Sequence, residues 1–141
     1  MSSRRYLLDT NIISDLLKHP QGTVAQKIAS LSAEQREGLF TSAIVACELR
    51  YGVEKRGSRI LARRVEELLQ VIEVVPLPIE TDRHYGRIRA ELEKKGTIIG
   101  ANDLLIAAHS LVDPSILITD NLREFRRVPG LNLENWLHSS R

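Results

Sequence analysis

Residues 4–18 read RRYLLDTNIISDLLK, and the order of residue types in this stretch decides the fold. An apolar run through Tyr6, Leu7 and Leu8 stops at Asp9, so residues 4–8 read as a short buried strand. Thr10 and Asn11 can then cap a helix that continues to Lys18, where His19-Pro20 ends it. A buried strand that delivers a carboxylate and turns at once into a helix is typical of a parallel α/β sheet, whose ligands bind at the carboxyl ends of the strands.

Three later stretches repeat the pattern. In LFTSAIVACELRYG (39–52) a short strand meets Ser42, which caps a helix of about 43–55 carrying Glu48. In SILITDN (115–121) a strand over 115–119 ends at Asp120. In GANDLLIAAH (100–109) a helix begins near Asn102, with Asp103 in its first turn. If strands 4–8, 40–42 and 115–119 are parallel neighbours, Asp9, Glu48, Asp103 and Asp120 all reach one edge of the sheet. Taken singly, each has an ordinary explanation: a capping or first-turn acid at Asp9 and Asp103, an exposed helical glutamate at Glu48, an Asx turn at Asp120. Together they suggest a hard-cation site, because carboxylate oxygens suit Mg²⁺ or Mn²⁺. Like charges so close should also hold protons above their usual pKa when no metal is bound.

The rest of the chain fits the same architecture. Helices are expected over 22–32, over a segment with an apolar stripe from Ile60 to Leu69, and over 80–95 up to Gly96. VIEVVPL (71–77) reads as a strand stopped by Pro76 and Pro78; a helical turn at 122–126 and a strand at 131–134 complete the chain. Strands separated by helices imply a mainly parallel sheet covered on both faces. The 141 residues show no linker or internal repeat and read as one domain over 1–141.

Composition narrows the function. Aromatics are 4% of the chain, too few for aromatic stacking on bases to be the main recognition device. The net charge is only +2, yet basic residues gather at Lys55, Arg56, Arg59, Arg63 and Arg64, and again at Arg123, Arg126 and Arg127. Such patches beside an acidic pocket suit a polyanion, or are solvated helix faces. Cys47 is the only cysteine, which excludes an intrachain disulfide and a zinc finger, and its apolar surroundings predict burial. None of His19, His84, His109 and His138 accompanies a nucleophile motif. Asp9, Asn11 and Asp15 interrupt the first apolar segment too early for a signal peptide, and no run is long enough to span a membrane, so a cytoplasmic protein is expected.

The segments LLDTNIISDLL, ACELRYGVEK, IGANDLLIAAHS and ILITDNLREFRRVPGLNLENW resemble, in order and over essentially the whole chain, those of PIN-domain proteins, and among them the VapC-type toxins of toxin–antitoxin pairs. The resemblance implies a three-layer α/β/α sandwich and a metal-dependent endoribonuclease. Asp9 and Asp103 match the acids that hold Mg²⁺, Glu48 matches a third acid, and Thr10, Asn11 and Thr119 match accompanying polar residues. The family's fourth acid often falls where this chain has Asn121, one residue after Asp120, so either Asp120 substitutes or an amide does. The resemblance also implies an RNA substrate, with tRNA a common class, translation arrest, a homodimer, and a cognate antitoxin that masks the site by inserting a basic side chain into a hetero-oligomer. The contrasting expectation is a catalytically silent PIN-like domain that binds RNA or protein. A haloacid dehalogenase-like phosphatase also places an Asp after its first strand, but wants a second acid where this chain has Asn11.

Overall fold

A computed structural model describes residues 4–138. In chain order the elements are β1 (Tyr6–Leu8), α1 (Thr10–Lys18), α2 (Thr23–Ser30), α3 (Ala33–Glu37), β2 (Leu39–Ser42), α4 (Ala43–Arg56), α5 (Arg59–Val71), β3 (Glu73–Val75), α6 (Thr81–Lys94), α7 (Ala101–Val112), β4 (Ile116–Ile118), α8 (Leu122–Phe125) and β5 (Asn132–Glu134). The five strands form one sheet in the order β3-β2-β1-β4-β5, and every neighbouring pair is parallel. Leu7 and Leu8 point to opposite faces of the sheet, yet neither is exposed. Both faces must therefore be covered, and the result is a three-layer α/β/α sandwich.

The core follows from the apolar runs. Phe40, Leu117 and Ile118 from the strands pack with Ile12 and Ile13 of α1, Leu104 and Ile106 of α7, and Phe125 of α8, all essentially inaccessible to water. The Thr41 hydroxyl donates to the Leu8 carbonyl at 2.7 Å, closing a buried polar group beside the end of β1. No described helix is long and apolar enough to cross a membrane.

Strand β1 lies between β2 and β4, and the chain leaves it in one direction towards β2 and β3, then returns to the other side for β4 and β5. The order reverses at β1 and β4, which makes the crevice beyond their carboxyl ends the place where a ligand is expected. Pairing of Leu8 with Ile118 puts Asp9 directly opposite Thr119 at that crevice.

Most expected elements are present with trimmed ends: strand 4–8 shortens to 6–8, helix 22–32 to 23–30, and strand 71–77 to 73–75. Helix α3 is additional. It starts with a capping box in which Ser32 accepts from the Gln35 amide and Gln35 reaches back to the Ser32 amide. Burial of Cys47 is not observed; its side chain is exposed. Helix α4 buries Val45 and Leu49, four residues apart. At about 100° per residue, Cys47 faces the opposite side.

Two glycines of this region make opposite predictions. Gly57 ends α4 in the left-handed region at φ 65°, so Gly57→Ala should destabilise the protein by about 1 kcal/mol. Gly52 lies inside α4 with nothing within 4 Å of a built Cβ, so Gly52→Ala should stabilise it by up to about 1 kcal/mol. Urea denaturation of the two variants checks the pair; equal signs would contradict this account of α4.

Candidate active site

Asp9 is the fixed point of the crevice. It is the N-cap of α1, with Oδ1 accepting from the Thr10 amide at 2.8 Å. Its Oδ2 accepts from the Thr119 hydroxyl at 2.8 Å and from the Asn11 side-chain amide at 3.3 Å. The residue is only 4% exposed. Burial pushes its pKa up, more than the bonds from Thr119 and Thr10 pull it down, and the charge of Glu48 adds to the rise.

Glu48 comes from the second turn of α4 and is half-buried. The Thr10 hydroxyl donates to its Oε1 at 2.5 Å, while the Asn102 amide lies 3.5 Å from Oε2. Asp103 stands in the first turn of α7. Its pKa is raised from 3.8 to about 7, first by burial and then by the charges of Asp9, Glu48 and Glu124. It also shares a hydrogen bond with Glu124, in which one carboxyl group keeps its proton for the other. The elevated pKa expected of crowded carboxylates is thus present at Asp9 and Asp103.

Helix α4 and helix α7 are tied together away from the acids. Ser42 caps α4 by accepting from the Ile44 amide at 3.1 Å, and its hydroxyl lies 3.0 Å from His109 Nδ1 on α7. His109 is fully buried, and burial lowers its pKa, so the neutral ring is the form that fits.

Asp120 is elsewhere. Its side chain is exposed and accepts from Asn135 Nδ2 at 2.9 Å and pairs with His138 Nδ1 at 2.8 Å; these contacts, His138 first, hold its pKa below the usual range. Only its backbone amide faces the crevice, donating to Asn11 Oδ1 at 2.9 Å. The acid that completes the cluster is Glu124, one turn further on in α8. Asn121 prepares it from both sides: its backbone N–H donates to Thr119 Oγ1 at 3.0 Å and its side-chain amide to Glu124 Oε2 at 3.2 Å. The signal was present in DNLRE, where an amide at a helix N-cap is followed three residues later by Glu. Of the basic residues, Arg50 pairs with Glu66 at the surface, and Arg127 donates to the Ile98 carbonyl at 3.0 Å, steadying the loop before α7.

The structure therefore gathers Asp9, Glu48, Asp103 and Glu124 at the topological switch point, with donors from Thr10, Asn11, Asn102, Thr119 and Asn121 around them. A model of the PIN domain matches residues 6–131. Ribonuclease VapC2 of Rickettsia felis is 38% identical over 133 residues, covering 93% of this chain and 97% of that protein. The chain belongs to the PIN-domain family, in its VapC branch. A second VapC, the tRNA(fMet)-specific endonuclease VapC of Salmonella typhimurium, is 35% identical over 134 residues, covering 94% of this chain and 98% of that one. In structure the chain is similar to a chain of VapBC2 from Rickettsia felis bound to a DNA fragment from its promoter, with a TM-score of 0.83 and 35% identity over 93% of this chain and 98% of that one.

The four carboxylates at this VapC-branch site offer oxygen ligands, the chemistry that hard divalent cations favour. Among the described residues, no three His, Cys, Asp or Glu side chains form a ready-made cage. Mg²⁺ is commonly held through one or two carboxylates with water in its remaining positions, and Asp9 and Asp103 fit that smaller number.

Crowding has a thermodynamic consequence. Between its unfolded pKa of 3.8 and its folded value of about 7, Asp103 binds a proton in the folded state that the unfolded chain has released. Metal-free stability should therefore fall as pH rises through that window. Asp103→Asn should leave stability unchanged near pH 4 and raise it near pH 8 by on the order of 1 kcal/mol, after discounting for water at this half-exposed group. Thermal melts in chelator at both pH values check this; an equal effect at both would contradict it.

Proposed function

We propose that this protein is a Mg²⁺-dependent endoribonuclease and the toxin of a toxin–antitoxin pair, arresting translation by hydrolysing RNA, with tRNA the favoured class. The observation that carries the reading is the cluster of Asp9, Glu48, Asp103 and Glu124 at the switch point, where burial first, and then the charges of the other three acids, raise the pKa of Asp103 to about 7. Relatives named ribonuclease and tRNA(fMet)-specific endonuclease match along nearly the whole chain.

In this reading Asp9 and Asp103 hold Mg²⁺, or Mn²⁺ in its place. When bound, the cation supplies charge neutralisation at the phosphate and activates water for attack. The chain's own residues do the rest. Thr119, Asn11 and the Thr10 amide keep the Asp9 carboxylate in a single orientation. Thr10 occupies Glu48 Oε1, leaving Oε2 to accept the proton of the attacking water. Glu124, held by Asn121, takes the place first expected of Asp120, orienting water at the second side of the site. Exposed Arg123 and Arg126, next along the chain, can meet flanking phosphates.

One relative of known structure, from Rickettsia felis, is a VapBC complex, which supports a cognate antitoxin as partner. A homodimer and a toxin–antitoxin hetero-oligomer complete the proposal. Exposed apolar side chains at Val71 and Ile79 are surfaces that such assemblies would cover.

Asp9→Asn and Asp103→Asn should abolish RNA cleavage while the protein still folds, and chelation should do the same until Mg²⁺ or Mn²⁺ is restored. Glu48→Gln should lower kcat by about 10²–10⁴-fold. Asp120→Ala, which removes a carboxylate turned away from the cluster, should cost less than about tenfold, as expected of an indirect effect. Mapping RNA 5′ ends after incubation with each variant measures all of these; full activity in Asp9→Asn, or loss of all activity in Asp120→Ala, would contradict the assignment.

A further inference from the structure

A groove of about 330 Å³ opens beside the acid cluster, with Thr10 and Glu48 among its lining residues. Leu17, Leu49, Leu61 and Val65 give it apolar walls, and Lys18, Arg56 and Arg64 bring three cations to it. Those cations form no ion pair among the described residues, whereas Arg5, Arg50, Arg89 and Lys95 all do. The first turn of α5 also lines the groove, through Ser58, Ile60 and Leu61. Ser58 caps this turn by accepting from the Leu61 amide at 3.2 Å, and the positive dipole end of α5 favours an anion.

An apolar slot ringed by unpaired cations matches a ligand that joins an apolar surface to negative charge, as a flat base carried on a phosphate does. We propose that this groove is a nucleotide subsite, which seats one base of the RNA chain beside the scissile phosphate and holds the adjoining phosphate on Arg56, Arg64 and Lys18. The inference rests on the nuclease reading above and names where its substrate lies. Continuity decides the occupant: the groove and the acid cluster share Thr10 and Glu48, so a chain whose phosphodiester sits at the acids runs into the groove within one nucleotide. The volume lies near the lower end for ligand pockets, which suits one base. A base can enter only when unstacked, so the subsite selects single-stranded or loop RNA over duplex. Aromatic side chains take no part in this binding, in keeping with their scarcity in the chain.

Gly52 lies on the groove wall, and no atom stands within 4 Å of a Cβ built there. Gly52→Phe therefore plugs the groove without striking the backbone, and the double variant Arg56→Glu/Arg64→Glu reverses its charge at two exposed positions. With the full chain and Mn²⁺, kcat and KM are measured on a short single-stranded oligoribonucleotide, and rates on the methyl diester of abasic ribose 3′-phosphate, a diester with neither a base nor any other flat ring; circular dichroism checks folding. Both variants should raise KM for RNA by about tenfold or more, as for re-exposing one buried apolar ring or losing a phosphate contact, and the loss on RNA should exceed that on the baseless diester by at least about fivefold. Arg83→Glu on α6, a helix that contributes no residue to the groove lining, should match wild type. Three results would overturn the inference: unchanged KM for RNA with weakened antitoxin binding, which would assign the groove to the protein partner; equal losses on both substrates; and duplex RNA cleaved as readily as single strands. Absence of cleavage of any substrate by the wild type would remove the nuclease reading itself, a result distinct from these three.

Discussion

The contact on which the site depends is the one between Asp9 and Thr119. The carboxylate of a residue that is 4% exposed cannot remain charged without donors, because burial favours its protonated form. Here β4 brings the Thr119 hydroxyl across from β1, while α1 offers the Thr10 amide and the Asn11 side chain. The same Thr119 oxygen accepts from the Asn121 amide. One hydroxyl thus links Asp9 to the turn that leads to Glu124. This arrangement exists only because β1 and β4 are parallel neighbours in a register that sets Leu8 against Ile118.

Around that anchor the fold assembles charges that repel. Asp103 arrives on α7 and Glu48 on α4, and burial first, then the charges of Asp9, Glu48 and Glu124, raise the pKa of Asp103 to about 7. The fold tolerates the strain because the strands and helices behind the acids are densely apolar, with Leu7, Leu8, Phe40, Leu117 and Ile118 out of contact with water. A cation at this edge would relieve repulsion that the core otherwise has to offset. Groups made unstable in this way are the ones whose protonation and ligand binding are linked most strongly.

Much of this was legible in the sequence, because parallel strands buried on both faces leave short apolar runs that end abruptly. YLLD, LFTS and ILIT were visible for that reason, and with them the strands that present Asp9 and Thr119. The fourth acid was not. Asp120 stands next to the strand and was the natural candidate, but the turn there points its backbone amide inward, to Asn11, and its carboxylate outward, to Asn135 and His138. A short helix then carries Glu124 back to the cluster, a return that depends on the turn at Asn121 more than on proximity along the chain. Cys47 misled because its neighbours in sequence are apolar, while the face that α4 turns to the core is the one carrying Val45 and Leu49. The capping box that starts α3 is a local signal with no buried residue in the helix to support it.

The central claim is that four carboxylates share one small space and that a divalent cation is what makes their joint ionisation tolerable. The most direct test is the titration of the Asp103 carboxyl carbon by NMR, without and with saturating Mg²⁺. The account predicts a midpoint of about 7 in the metal-free protein, falling below the ordinary value of 3.8 when the ion is present. A metal-free midpoint near 3.8, unmoved by Mg²⁺, would contradict it.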